Sequence, residues 1–176
     1  DHVMWHDEKM VFPDGNAEPA GDDAFMVQTA QKMYHEISPE TGEFIDFMID
    51  HELMDLQNKP GKASTGYMTS LPSLKAPFVF SCFNHTIFDM QVLTHELGHA
   101  FAGYMAMRSQ PILDYYSEST DIAEIHSMSM EQFAYPYAEW FFGDQADKFR
   151  FAHLQEAITF VPFGVAVDEF QHICYA

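Results

Sequence analysis

His95-Glu96-Leu97-Gly98-His99 is a five-residue stretch that can hold a metal and activate a water. On a helix of about 3.6 residues per turn, His95 and His99 stand one turn apart on one face. Two imidazoles at that spacing can reach one tetrahedral Zn²⁺ at roughly 2.0–2.1 Å. Glu96 stands beside them, placed to act on a water in the metal's open position. This is the HExxH pattern of zinc hydrolases, in which metal and carboxylate together turn water into a nucleophile. Taken alone, the same five residues also fit an exposed helix that carries two histidines and a glutamate. The elements around them decide between the two.

The motif lies in a segment that reads as a long helix, from about residue 86 to residue 107. Ile87, Phe88, Leu93, Leu97, Ala100, Phe101 and Tyr104 give it an apolar stripe at helical spacing. Gly98 and Gly103 sit inside it, although each costs about 1 kcal/mol relative to Ala in a helix interior. With Ala100, Ala102 and Ala106 they leave part of the surface thin, so a second helix could approach closely; simple tolerance of the glycines is the alternative. That second helix is readable over 120–134, with Ser119 or Thr120 as N-cap. Asp121, Glu124, Ser127 or Met128, and Glu131 recur at three- and four-residue steps and share a face. A carboxylate stripe is ordinarily a solvated face. Beside a histidine-bearing helix that lacks an anionic ligand, it becomes a ligand source. Glu124 follows His99 at a distance sufficient for a helix end, a loop and a return. His95, His99 and Glu124 with an open fourth position form a catalytic zinc pattern rather than a structural one. Asp121 and Glu131 are then the candidates to accept the ring N–H of a ligating histidine and fix its tautomer.

Together these residues carry a family resemblance. Thr94-His95-Glu96-Leu97-Gly98-His99, followed by Ala123-Glu124-Ile125-His126-Ser127-Met128-Ser129-Met130-Glu131, resembles the M3 family of zinc oligopeptidases, the thimet oligopeptidase and oligoendopeptidase F group. Asn58 to Ser70, and Pro77-Phe78-Val79-Phe80-Ser81-Cys82-Phe83-Asn84, are similar to the strand-and-loop region ahead of the zinc helix in that group. Asp168-Glu169-Phe170-Gln171-His172 is similar to a later helix of its bacterial branch. The resemblance thus extends over nearly the whole chain. It implies a zinc endopeptidase that cuts short peptides within a deep, mostly helical channel. His95, His99 and Glu124 would be the zinc ligands and Glu96 the general base. It also implies a helical portion ahead of the catalytic core, and beyond it a segment rich in His and Tyr that contacts the substrate carbonyl. The chain starts at Asp1 and ends at Tyr175-Ala176 in what reads as an unfinished helix, so a fragment of a longer protein is expected.

Length and composition fit one globular unit spanning 1–176. With 176 residues, 47% of them hydrophobic, the chain can bury a sizeable core. Its 17 Phe and 12 Met either fill that core, pack against portions of a parent chain, or line a channel for varied side chains. Eight Lys+Arg against 27 Asp+Glu give a net charge of −19, which argues against nucleic acid or an anionic membrane as partner. No apolar run approaches the roughly 20 residues of a membrane span. Cys82 and Cys174 do not make a disulfide framework, which favours a reduced, cytoplasmic setting.

Elsewhere, the first twenty-odd residues have turn chemistry. Asp22 or Asp23 would cap a helix to about residue 37, and Ser38-Pro39-Glu40 would open another to about residue 57. Two short strands are expected at 66–69 and 77–81, the second either presenting an edge to substrate or lying inside the sheet. Further helices are expected at 146–160 and 164–175, with Pro162 as the break between them. His2 and His6 have ligand spacing to each other but sit in a loop-like segment, and no metal is expected there.

The expected fold is mainly α, a zincin-like helical metallopeptidase core with a small β-sheet. The expected function is hydrolysis of internal bonds of oligopeptides, with one Zn²⁺ per chain on His95, His99 and Glu124 and with Glu96 as general base. Two alternatives stand beside it. One is a zinc-binding helical module or fragment without turnover, because downstream oxyanion-stabilising His and Tyr residues are absent. The other is an aminopeptidase with the same ligands, which would need a carboxylate for the substrate's α-amine, and no such motif precedes His95.

Overall fold

The computed structural model describes residues 4, 7, 9–117 and 119–176, apart from the side chains of Thr120 and Asp121. Helix α1, Asp23–Ile37, starts where the Asp22 side chain accepts the N–H of Phe25. Ser38 then caps α2, Pro39–Asp50, in a reciprocal arrangement with Thr41, and Pro39 occupies the first turn. The helix stops at Asp50, well short of residue 57. Leu53 and Leu56, which read as its continuing apolar side, are buried instead through strand geometry. Glu52, in the left-handed region at φ 53°, turns the chain, and Met54–Asp55 forms strand β1.

Strands β2, Tyr67–Leu71, and β3, Ala76–Phe80, form an antiparallel hairpin in the register Tyr67↔Phe80 to Leu71↔Ala76. Strand β1 pairs with β3 in parallel, Met54 opposite Val79. The order is β1-β3-β2, so β3 lies inside the sheet and β1 and β2 are its edge strands. Helix α3, Ile87–Ser109, packs on β2 and β3 and is buried around most of its circumference, with Leu93, Leu97, Ala100 and Met107 inaccessible or nearly so. Burying one such Leu contributes roughly 1.5–3 kcal/mol.

Helix α4, Thr120–Ala134, lies along α3. Its packed face is Ser127, Met130, Glu131 and Ala134, while Ile122, Ile125, Met128 and Phe133 are exposed. Ser127 and Glu131 therefore face inward beside Met130 and Ala134, while several apolar side chains face outward. The short α5, Ala138–Phe142, leads into α6, Ala146–Tyr175. Pro162 lies inside α6 and does not break it; proline forfeits one backbone bond, which the turns on either side absorb. The first two turns of α6 bury Ala146, Phe149, Ala152 and His153, whereas Phe160, Phe163, Phe170 and Ile173 farther along are exposed. Among the described residues, no helix is long and apolar enough to cross a membrane.

The two glycines of α3 have different jobs. A Cβ on Gly98 would lie 2.7 Å from Cα of Ser127 and 2.9 Å from the His126 carbonyl oxygen, both backbone atoms of α4. A Cβ on Gly103 would meet only Met68 Cε at 3.5 Å and Ser70 Oγ at 3.6 Å, ordinary contacts with β2. Close approach of a second helix is thus real at Gly98. Gly98→Ala should cost about 1–3 kcal/mol through overpacking against a backbone that cannot rotate away. Gly103→Ala should be neutral or stabilising by up to about 1 kcal/mol from helix propensity. Thermal melts of both variants check this, and equal losses would remove the distinction.

Candidate metal centre

The start of α3 is secured more firmly than by an ordinary cap. Thr86 accepts the N–H of Phe88, and the Asp89 carboxylate accepts the backbone N–H groups of Asn84, His85 and Thr86 at 3.0, 2.7 and 3.3 Å. Asp89 is itself buried, and desolvation holds its carboxyl above the usual range despite those three donors. The turn it fastens includes His85 at φ 63°, and it aims α3 across the sheet.

Two turns later, His95 and His99 project from one side of α3, their ring centroids 4.9 Å apart and nearly perpendicular. Glu124, on the first turns of α4, meets both: its Oε2 lies 3.1 Å from His95 Nε2 and 3.5 Å from His99 Nε2. Two tetrahedral ligands each roughly 2.0–2.1 Å from a common ion lie about 3.3–3.4 Å apart, so these spacings suit a shared metal. The three candidate ligand atoms all lie within 4.8 Å of one another. Ser127 donates to the same Oε2 of Glu124 at 2.7 Å and holds the carboxylate from behind. Two neutral imidazoles and one carboxylate are the donor chemistry that zinc accepts in hydrolytic sites.

Glu131, two turns further along α4, is a partner of the His95 ring. Its Oε1 lies 2.6 Å from His95 Nδ1. A carboxylate only accepts, so Nδ1 of His95 donates to Glu131, and Nε2 is the ring nitrogen that faces Glu124. Asp121, the other candidate, has a side chain outside the described residues, as have His2 and His6 in their entirety. Glu131 is nearly inaccessible; burial pushes its carboxyl up, but hydrogen bonds from His153 and His95 outweigh that and hold it below the usual range. His95 shows the mirror image, burial lowering it and Glu131 more than compensating.

Glu96 faces a cleft of about 440 Å³ lined by Gly66, Tyr67, Met68, His95, His99, Ala123 and Glu124. It is 8% exposed, and burial raises its carboxyl above the normal value, with His95 opposing. Gly66 lies against it: a Cβ there would sit 3.1 Å from Glu96 Oε1. The edge strand β2 therefore starts over the glutamate and forms one wall of the cleft. Of the two strands expected from sequence, 77–81 is the inner one, and the strand with a free edge is the one before it.

Residues 26–175 match Peptidase family M3. The chain belongs to peptidase family M3. Among solved structures, an oligoendopeptidase F is 52% identical, with a TM-score of 0.92 over 98% of this chain and 30% of that one. PZ peptidase A, solved with an inhibitor, is 50% identical, with a TM-score of 0.92 over 98% of this chain and 30% of its own. An oligoendopeptidase F from Bacillus anthracis str. Ames is 47% identical, with a TM-score of 0.93 over 98% and 31%. No curated protein matches. This M3 chain spans about 30% of the length of the solved relatives it matches, and its helical, small-sheet architecture is theirs.

Sequence reading of this M3 core missed His153, which closes on Glu131 from α6 at 2.5 Å, and Gly66. A signal for the first existed: His153 sits on the same face as Ala146, Phe149 and Ala152, a polar residue on an apolar stripe. For Gly66 there was none, because closeness to Glu96 is a property of how the sheet lies on α3.

Because Asp89 fastens three donors where α3 begins, Asp89→Ala should destabilise the chain by about 1–3 kcal/mol. Thr86→Ala, which removes one cap acceptor, should cost about 1 kcal/mol. Urea unfolding of the two variants orders them; a Thr86 effect as large as that of Asp89 would show the carboxylate to be dispensable.

Proposed function

We propose that this chain is the zinc-binding catalytic core of an M3 endopeptidase that hydrolyses internal bonds of oligopeptides. The observation that carries the reading is the meeting of the Glu124 carboxylate with Nε2 of both His95 and His99, with Glu96 buried at their side. His95, His99 and Glu124 would hold one Zn²⁺ per chain. When bound, the ion would supply Lewis acidity towards water and the scissile carbonyl. Glu96, kept avid for a proton by its burial, takes one from the attacking water and hands it to the leaving amine. Glu131 keeps His95 in the tautomer that leaves Nε2 free to ligate. The β2 edge, starting at Gly66 above Glu96, would bind an extended peptide by backbone pairing, which suits substrates of varied sequence. The net charge of −19 suits a peptide rather than nucleic acid or an anionic membrane as partner.

A zinc-binding core that turns over poorly by itself is the second reading, and one observation favours it. Among the described residues lining the cleft, Tyr67 is the single hydroxyl-bearing aromatic, and its ring is stacked on Phe80 at 5.1 Å. Acyl transfer needs donors aimed at the developing oxyanion, and loss of one typically costs about 10²–10³ in kcat. In the family this chain resembles, such donors are His and Tyr side chains from a later segment, and this chain spans about 30% of its relatives.

Zinc titration of the 176-residue chain should find one tight site. Glu124→Gln should weaken it far more than Glu131→Gln, whose effect should be about 10–100-fold. Equal zinc affinity in wild type and Glu124→Gln would remove Glu124 as a ligand. Cleavage of a fluorogenic oligopeptide, with and without chelator, should be very slow for this chain and fast for a longer M3 protein containing it. In the longer protein Glu96→Gln should keep its zinc and lose turnover by at least about 10²-fold. Chelator-sensitive turnover of the short chain at the longer protein's rate would place the oxyanion donors among residues 1–176 after all.

A further inference from the structure

One buried histidine is unused by the proposed chemistry. His153 is 5% exposed and lies on α6, an element that contributes nothing to the cleft. Its Nε2 meets Glu131 Oε2 at 2.5 Å, while the other oxygen of Glu131 meets His95 Nδ1 at 2.6 Å. Nδ1 of His153 is 3.0 Å from the Tyr135 hydroxyl, which donates to the Arg150 carbonyl at 3.1 Å. The ring is also stacked on Phe149, 5.7 Å between centroids and 12° from parallel. Each ring nitrogen and one ring face of His153 are therefore engaged.

We propose that His153 is a positioning residue of the metal centre, holding the Glu131 carboxylate in the plane and direction that orient His95 for zinc. A carboxylate bound through one oxygen can swing about its Cγ–Cδ bond; bound through both, it presents a fixed lone pair to His95 Nδ1. Anchored by Tyr135 and Phe149, His153 supplies that second attachment. Glu131 is nearly inaccessible, so water could not replace the lost donor without opening the core. Helix α6 thus acts on the metal at one remove, through α4. Partners of ligating histidines typically tune metal affinity by 10–100-fold, and here the tuning is passed one residue further out.

The inference rests on the zinc reading above, and the test separates the two. In the 176-residue chain, zinc affinity is measured by competition with a chromophoric chelator, and Co²⁺ is substituted for its d–d spectrum. Circular dichroism melts of the metal-free chain report folding separately. His153→Phe keeps the ring packing and removes both hydrogen bonds; it should weaken zinc about 10-fold or more and alter the Co²⁺ spectrum. His153→Gln retains an N–H directed at Glu131 and should recover most of the affinity. Should His153→Phe fail to fold, Tyr135→Phe, which removes the hydroxyl that anchors the ring and donates to the Arg150 carbonyl, carries the test, with at least a threefold loss and a shifted spectrum expected. A folded His153→Phe, or in its place Tyr135→Phe, with wild-type affinity and spectrum overturns the proposal and leaves the zinc reading intact. A wild-type chain that binds no zinc overturns both.

Discussion

The contact on which this structure turns is the approach of α4 to α3 at Gly98. With no Cβ there, the backbone of Ser127 and His126 comes to a distance that any side chain would forbid. That closeness brings Glu124 over the Nε2 atoms of His95 and His99 and Glu131 to the Nδ1 side of His95. An added separation of even an ångström would leave carboxylates and imidazoles beyond hydrogen-bonding range. The helix-propensity cost of the glycine, about 1 kcal/mol, is small beside what a buried, unpaired Glu131 carboxylate would cost.

The same approach explains which side of α4 is covered. Helix α4 buries Ser127 and Glu131 with Met130 and Ala134 and exposes Ile125 and Phe133, because the side that meets Gly98 and His95 is the one carrying Ser127 and Glu131. Two buried carboxylates, Glu96 and Glu131, live in contrasting surroundings. Glu96 is lifted by burial with His95 only partly opposing, whereas Glu131 is lowered by hydrogen bonds from two histidines that outweigh its burial. One is prepared to gain a proton and the other to stay ionised and orient a ring.

The scaffold supplies the remaining constraints. Asp89 ties the turn ahead of α3, the β1-β3-β2 sheet supports one side of that helix, and the start of the edge strand at Gly66 walls the cleft above Glu96. The exposed apolar residues of α4 and the far end of α6 are extensive for a chain of this size, and the solved relatives are about three times as long.

Much was legible in the residues themselves. Periodicity marked α1, α3 and α4 to within a residue or two, and the capping residues Asp22, Ser38 and Thr86 lie where helices begin. The one-turn spacing of His95 and His99, with Glu96 beside them, is set by the helix alone. So is the shared face of Glu124 and Glu131, since local spacing reports neighbours within an element. Residues 51–57 carried the same apolar spacing as a helix, and only their pairing with β3 made two of them a strand. Likewise, whether 67–71 or 76–80 offers a free edge depends on which strand β1 joins. That Glu131 takes the ring proton of His95, that His153 reaches it from α6, and that Gly66 presses on Glu96 follow from the register and crossing of separate elements. Those are decided by how side chains interlock when the core closes, and no periodicity along the chain encodes them.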